Sequence, residues 1–367
     1  MTPAWLQPLC TAVQTNGHIA DSRHASELPL CIYLLQMREY YRWEHGLAFG
    51  ADMPRSAVGS WLADRETLWD TLEGRQLADL PGPDGPLNPW DVAAVNTALR
   101  PCGLSYGAGL VGPERPVFFL AETLHHGAVP VDGETVQTLV CGRELARSLG
   151  SPLAMLDSAQ GRPTIVLRQA ALARWLWERF EAHGLRAADG PFHHLAVAQG
   201  LHGNAEFNAA LPRLLDDLSE VLLLHEMGEL RAGRRLGPAW AALRQAQASN
   251  RRAELRLRAV RDHLADLGTT LPTLLAQGQA TRMQFWFAGF EGHREALFPG
   301  LKRAYAAWHQ GDAGAALRQA VAAGLGHFTA LADELLALHG QRAHGDGADA
   351  AVTIAQRLDA PAAICLA

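Results

Sequence analysis

Cysteine is scarce in this chain, and its spacing excludes two common kinds of small protein. The five cysteines stand at positions 10, 31, 102, 141 and 365, and no CxxC pair occurs among them. An odd number of widely spaced cysteines fits neither a disulfide framework nor a zinc ribbon. We therefore expect reduced thiols that are mostly buried.

Unbroken apolar runs and basic blocks are also missing. The N-terminal segment MTPAWLQPLCTAVQTNGHIAD lacks the basic start and apolar core of a signal peptide, and no run of about 18 apolar residues follows anywhere. Charged residues make up 19% of the chain, the net charge is −6, and the arginines are scattered among acids. Nucleic acid is a poor fit to that distribution. We expect a cytoplasmic protein without a nucleic-acid or membrane partner.

The first half of the chain mixes helix and strand signals. Hydrophobic residues make up 48% of the 367 residues, enough for a large core and for two domains. Apolar residues at helical spacing predict helices, turn-rich segments predict loops, and β-branched and aromatic residues predict strands. These patterns predict helices over 27–45, 55–73 and 170–184, a loop over 80–89, a hairpin of strands 115–124 and 134–142, and a third strand over 163–169.

Strand signals vanish from about residue 190, where Ala, Leu, Arg and Glu at helical spacing take over. We predict an α+β, predominantly α protein. Residues 1–188 form helices with a small antiparallel β-sheet (about 115–169), 189–343 form a helical bundle, and 344–367 form a tail that adds a terminal helix. Turn residues predict breaks between the bundle helices at 236–237, 248–250, 267–272, 298–300 and 310–314.

The stretch VLLLHEMGEL, residues 221–230, carries the main chemical signal. On a helix, His225 and Glu229 share a face, and Glu226 lies beside them. The stretch HEMGE keeps the spacing of the zinc signature H-E-x-x-H. It differs from the signature in having a carboxylate, Glu229, at the second ligand position. Carboxylate oxygen is an acceptable zinc ligand and suits iron or manganese better. The pattern predicts a metal site in which His225 and Glu229 are ligands and Glu226 is the catalytic general base.

Two structural interpretations compete with this prediction. A buried, ionised carboxylate needs a partner, and Arg231, Arg234 and Arg235 are close enough in sequence to supply one. The helix could instead reach the surface after Leu224, with its acids solvated.

Further ligands have to come from other helices. His263 is the first choice for a third ligand and Asp262 the second, because both lie in the helical segment AVRDHLADLG. His327 lies among small and apolar residues, where a histidine is more often a hydrogen-bonded core residue. Glu291 follows an aromatic run and is a weaker candidate for the edge of a pocket.

Glu39 is a separate problem in the first half. It lies at helical spacing from Ile32, Leu35 and Trp43, which places a carboxylate on an apolar face. We expect Arg42 to point elsewhere, so that an arginine or a metal from another element balances Glu39.

The blocks LPLCIYLLQMREYYRWEHGL, LLLHEMGELRAGRRLGPAW, RAVRDHLADLGTTLP and FWFAGFEGHREALFPGL together resemble a family of uncharacterised bacterial proteins. The resemblance covers most of the chain. It implies one coherent protein and supplies no activity.

Three functional hypotheses follow from these residues. The leading one is a metal-dependent enzyme of hydrolytic type, with zinc as the cofactor and a small-molecule or peptide substrate. The second is a non-haem iron or di-iron oxidase that draws together Glu39, His225, Glu229 and His327, with manganese as a further alternative metal. The third is a non-enzymatic scaffold or partner-binding protein with a buried His/Glu/Arg network. A homodimer is left open.

Overall fold

The computed structural model describes residues 3–111, 115–150, 152–157, 163–186, 189–342 and 347–359. Two compact units divide the chain. The first unit comprises Met1–Pro130, Thr135–Arg179 and Gly203–Leu215, and the second comprises Val131–Glu134, Phe180–His202 and Asp216–Ala367. The predicted boundary at residue 188 and Cys365 both lie outside the described residues.

The first unit combines helices with two β-sheets. Its core packs Leu9, Val95 and Phe118, from a helix, a second helix and a strand, against one another. The elements in chain order are α1 (Leu6–His24), α2 (Leu30–Glu44), α3 (Arg55–Leu72), β1 (Leu80–Gly82), β2 (Gly85–Leu87), α4 (Val92–Leu99), β3 (Leu104–Val111), β4 (Arg115–Val131), β5 (Glu134–Arg147), β6 (Ala154–Asp157), β7 (Thr164–Arg168) and α5 (Gln169–Arg186).

The larger sheet has the strand order β3-β4-β5-β7-β6. The pairs β3/β4 and β6/β7 are antiparallel, whereas β5 and β7 run parallel. The predicted hairpin and third strand are therefore present, and β3 and β6 were not predicted. The segment predicted as a loop at 80–89 contains the small antiparallel hairpin β1/β2.

The described part of the chain after α5 is helical, as predicted. After α6 (Pro191–Gln199), the long helix α7 (Asn204–Ala246) bends at Gly237, whose φ of 66° and ψ of −173° interrupt the helix at a predicted break. The remaining helices are α8 (Arg251–Ala265), α9 (Leu271–Gln277), α10 (Ala280–Ala288), α11 (Gly292–Leu297), α12 (Gly300–His309), α13 (Ala315–Arg342) and α14 (Gly347–Asp359). The protein is thus α+β and predominantly helical.

Two details of the sequence prediction are wrong. The expected break at 267–272 is a π-helical turn, Asp266–Thr270, that leads from α8 into α9 without a loop. Among the cysteines at described positions, all are free, but only Cys141 is buried and Cys31 is exposed.

One segment of the bundle also meets the length and composition criteria for crossing a membrane. It is Ala315–Gly340, with a mean hydropathy of 1.3 in its most apolar window, of which 33% is buried in the protein. Core helices of other proteins meet the same criteria, so this single segment is weak support for a membrane.

Candidate metal centre

Helices α7 and α8 approach each other closely at the glycine of HEMGE. A Cβ atom on Gly228 would lie 2.5 Å from the backbone oxygen of Ala265, a distance that real Cβ atoms essentially never show. Only a glycine therefore lets the two backbones come this near. The contact lies between Glu226 and Glu229 on α7 and directly before the π-helical turn at Asp266. It brings the acidic face of α7 to the acidic end of α8.

His225 is held by a carboxylate from this turn. Its Nδ1 lies 2.8 Å from Oδ1 of Asp266, which is buried. Since an ionised carboxylate only accepts hydrogen bonds, Nδ1 carries the proton and donates it. The opposite nitrogen, Nε2, lies 4.0 Å from Oε1 of Glu229. This is the arrangement in which a neutral imidazole offers Nε2 to a metal while a carboxylate orients the ring.

Three donor groups converge at this point. His225, Glu229 and Asp262 each offer a ligand atom, and these atoms all lie within 4.8 Å of one another. The side chains of His225 and Glu229 are 24% and 19% exposed, so solvent reaches the group. One imidazole nitrogen and two carboxylate oxygens form a donor set that zinc, manganese and iron all accept.

Arginines from other helices neutralise part of the negative charge. Arg261 pairs with Oε2 of Glu229. The Nη1 of Arg294 lies 3.2 Å from Oδ2 of Asp266, whose other oxygen accepts a hydrogen bond of 3.1 Å from the indole of Trp286. These contacts satisfy Asp266 and one oxygen of Glu229.

Acids still outnumber cations in the cluster formed by Glu226, Glu229, Asp262, Asp266, Arg261, Arg294 and His225. Four carboxylates face two guanidinium groups and one imidazole. A protonated His225 leaves one negative charge uncompensated, whereas a divalent cation with a neutral His225 balances the set. This balance applies when all four carboxylates are ionised.

Burial and the excess of carboxylates shift the pKa values of the groups in this cluster. Burial alone would lower the pKa of His225, but Asp266 and Glu229 outweigh it and raise the pKa to about 10. Burial raises the pKa of Glu226 to about 7, and neighbouring Glu229 adds to the shift. The pKa of Asp262 also rises to about 7, through burial and then through the charge of Glu229. His225 and Arg294 hold the pKa of Asp266 well below its usual range against the effect of burial.

Glu226 is the residue predicted as general base. It is buried on α7 beside His225, and its raised pKa places its titration near neutral pH. A general acid or base works best when its pKa lies near the working pH.

His263, the first choice for the third ligand, occupies a different environment. Its ring stacks on Phe328 with a centroid distance of 4.1 Å, and its Nε2 lies 2.9 Å from the backbone oxygen of Arg294. Burial lowers its pKa to about 4, so the ring is neutral at physiological pH. Asp262, the second choice, joins the convergent group instead.

The convergent group of described residues does not include any of the three weaker candidates. Glu291 is exposed at the start of α11, and His327 makes an edge contact with Phe328. Glu39 belongs to the first unit, where it is buried and its Oε2 lies 2.7 Å from Nε of Arg42. The expectation that Arg42 points elsewhere is therefore wrong.

The arginines nearest in sequence also have other partners. Arg231 lies 2.9 Å from Asp132, Arg234 pairs with Glu134, and Arg235 lies 3.0 Å from Asp333. Sequence proximity thus misidentified the cations, because none of these arginines is three or four residues from Glu226 or Glu229, the separation at which helical side chains meet.

Sequence reasoning also passed over two kinds of residue. The only sequence pattern that pointed to Asp266 was its four-residue spacing from Asp262, which places both on one helical face. No sequence pattern pointed to Arg261 or Arg294. A G-x-S-x-G match spans positions 103–107 as well. Its Ser105 is buried on β3, with Oγ 2.5 Å from Oγ1 of Thr123, and not on the strand-to-helix turn of a hydrolase nucleophile.

Comparison with family models completes this description. The C-terminal domain model of a family of unknown function, DUF6866, matches residues 173–359, and the N-terminal domain model of that family matches residues 8–185. The chain belongs to this family. All residues of the candidate metal centre lie within the segment matched by the DUF6866 C-terminal domain model. No curated protein and no solved structure matches the chain. Membership confirms the resemblance to an uncharacterised family and assigns no reaction.

Proposed function

We propose that this protein is a metal-dependent enzyme of hydrolytic type, with His225, Glu229 and Asp262 as ligands. The observation that carries the proposal is the orientation of His225. Oδ1 of Asp266 accepts the hydrogen bond that Nδ1–H donates, and Nε2 faces Glu229 across 4.0 Å. Carboxylates that hold histidines in this way are typical partners of metal-bound imidazoles.

Zinc is the first choice of metal, and manganese or iron the alternative. The donor set has one nitrogen and two carboxylate oxygens, which zinc tolerates and the harder ions favour. A divalent ion held by His225, Glu229 and Asp262 would supply Lewis acidity and would lower the pKa of a bound water. Three protein ligands leave a coordination position for that water, as in catalytic rather than structural zinc sites.

The residues around the ligands divide the remaining work. Glu226 accepts and returns a proton as its carboxyl titrates near neutral pH. Arg261 holds one oxygen of Glu229 in place. The substrate that fits this proposal is a small molecule or a peptide, and the proposed compartment is the cytoplasm.

The competing function is a non-enzymatic protein with an internal ion network. Arg261 favours it, because a guanidinium already satisfies part of Glu229. In that case a protonated His225 would replace the dication, and Glu226 and Asp262 would remain partly protonated at neutral pH. Metal content separates the two functions.

The test is elemental analysis of the full chain purified without metal-affinity chromatography. We expect close to one zinc, manganese or iron per chain, lost in His225→Ala and Glu229→Gln. Glu220→Gln is the matched control, since it makes the same change on α7 at a residue paired with Arg282. Protein that holds no metal, and takes up none on reconstitution with each of the three ions, would overturn the proposal. Colourless zinc protein supports hydrolysis, whereas iron with an absorption band points to the oxidase.

A further inference from the structure

The first unit contains a small cavity, none of whose lining residues belongs to the candidate metal centre. It has a volume of about 110 Å³. Since about 10 to 15 Å³ suffices for one water, several waters or one small ion fit inside. Its polar lining consists of Gln36, Arg147, Arg174 and Glu178, and its apolar walls come from Leu149, Leu153 and Ala171.

Arg147 carries unsatisfied donors in the wall of this cavity. The residue is 1% exposed, yet its Nε and Nη2 have no hydrogen-bond partner among the described residues. Its guanidinium lies over the rings of Tyr40 and Trp43, at 4.6 and 5.1 Å from their centroids, which holds it in position. Buried N–H donors without acceptors cost free energy, and an anion in the cavity would supply acceptors for Nε and Nη2 of Arg147.

The neighbouring carboxylate of Glu144 is engaged through one of its two oxygens, Oε1. Glu144 pairs with Arg168 in a buried ion pair, through Nε at 2.9 Å and through Nη2. Its other oxygen, Oε2, has no hydrogen-bond partner among the described residues, and its charge acts on Arg147 and Arg174, the two cations of the cavity lining. Glu178, the acid of the lining, is exposed to solvent.

A third guanidinium lies next to the cavity wall. The Nη2 of Arg115 lies 3.4 Å from the Cβ position of Gly150, a lining residue. Both Nε and Nη2 of Arg115 lack partners in the part of the chain that the structure describes. Guanidinium donors without partners among the described residues therefore belong to two arginines at this cavity, Arg147 and Arg115.

We propose that this cavity binds a small oxyanion, a carboxylate or phosphate group, between Arg147 and Arg174. A guanidinium group can donate two parallel hydrogen bonds to two oxygens of such an anion. Chloride has only one acceptor atom and cannot form this bidentate contact. Gln36, whose Oε1 lacks a partner among the described residues, can turn its amide to donate to the same anion. The volume limits the bound group to a small one.

The experiment is calorimetric titration of the full chain with inorganic phosphate and with acetate, against chloride at equal ionic strength. We expect one site per chain for at least one oxyanion. Binding of phosphate alone identifies a phosphate ligand, and binding of acetate identifies a carboxylate. Arg174→Gln should weaken binding about tenfold or more, because a charge-assisted contact is lost.

Arg143→Gln is the matched control for this substitution. Arg143 is an exposed arginine of the same unit that pairs with Glu122 at 2.6 Å. If Arg174→Gln does not fold, Ala171→Leu fills the cavity without changing charge and should also abolish binding. The proposal is overturned if neither oxyanion binds, if Ala171→Leu folds and still binds, or if Arg143→Gln weakens binding as much as Arg174→Gln.

Discussion

The imidazole of His225 and the carboxylate of Asp266 are joined by a 2.8 Å hydrogen bond between α7 and the π-helical turn after α8. The bond keeps a proton on Nδ1 and orients the ring, so that a neutral His225 has Nε2 as its unprotonated nitrogen. π-helical turns are rare, and those that occur are frequently found at functional sites. The π-helical turn that carries Asp266 therefore supports the choice of this region as the candidate site.

Asp266→Asn should therefore weaken metal binding without removing a ligand. We expect about 10- to 100-fold lower affinity, the usual effect of losing a carboxylate behind a ligating histidine. Competition with a chromophoric chelator measures it. Asp333→Asn, on the arginine-paired surface of α13, serves as the control and should bind as wild type. Equal affinity in Asp266→Asn and wild type would contradict the role given to Asp266.

Substitution of Asp262 and substitution of His263 should have opposite effects on metal content. Asp262→Asn should lose the metal, because its oxygen belongs to the convergent group. His263→Asn should retain it and lose about 1–3 kcal/mol of stability, since a buried hydrogen bond and a ring stack disappear. Metal content and urea denaturation of both variants decide between them. Loss of metal from folded His263→Asn would restore His263 as the ligand.

Gly228→Ala should destabilise the protein by about 1–3 kcal/mol, because the added methyl meets the backbone of Ala265. Gly233→Ala, five residues on in the same helix, has open space at its Cβ and should stabilise by about 0.5–1 kcal/mol. Urea denaturation measures both variants. Equal effects would show that the close approach of α7 and α8 is not required.

Glu226→Gln should keep the metal and lose turnover. Glutamine preserves the shape but cannot accept the proton, and removal of a general base costs about 10²–10⁴-fold in rate. A panel of chromogenic esters and peptides, followed with metal content, tests this. Glu220→Gln is again the control. A Glu226→Gln variant with full turnover would exclude Glu226 as the base.

Asp21 should make the stability depend on pH. Burial raises its pKa from 3.8 to about 7, against the opposing effects of the Leu149 N–H, Arg115 and Arg147. Between these values the folded state binds more protons than the unfolded state, so its stability decreases as pH rises. The contribution is roughly 4 kcal/mol, from about 1.4 kcal/mol for each pKa unit.

Asp21→Asn removes this titration, and the free energy of unfolding should fall less between pH 4 and 8 than in wild type. Denaturation at several pH values in chloride buffers measures the difference. Exposed Asp64→Asn is the control and should follow wild type. Parallel curves for Asp21→Asn and wild type would contradict the shift.

Helical periodicity predicted much of the candidate site. The four-residue spacing of His225 and Glu229 placed both on one face of α7, and the segment 259–268 was correctly identified as a source of acids. The choice between Asp262 and His263 was beyond this reasoning, because both lie on the same helix and only packing against Phe328 separates them.

Similar limits applied to the first unit. Helices α2, α3 and α5 and the β4/β5 hairpin were predicted from local patterns, whereas helices α1 and α4 were not. Strands β3 and β6 were also missed, because β3 contains glycines and β6 has only four residues. Buried Glu39 was expected to need a partner, but its actual partner, Arg42, lies one turn away on the same helix.

The amino-acid sequence by itself determined the helical character, most element positions and the presence of an acid-rich helix with a histidine on its face. These properties depend on spacing within one element, where 3.6 residues make a turn. The tertiary structure decided which acids meet His225, which arginines balance them and where unpaired guanidinium groups remain. Those outcomes depend on contacts between segments distant in the chain, such as Gly228 against Ala265, for which no local pattern exists.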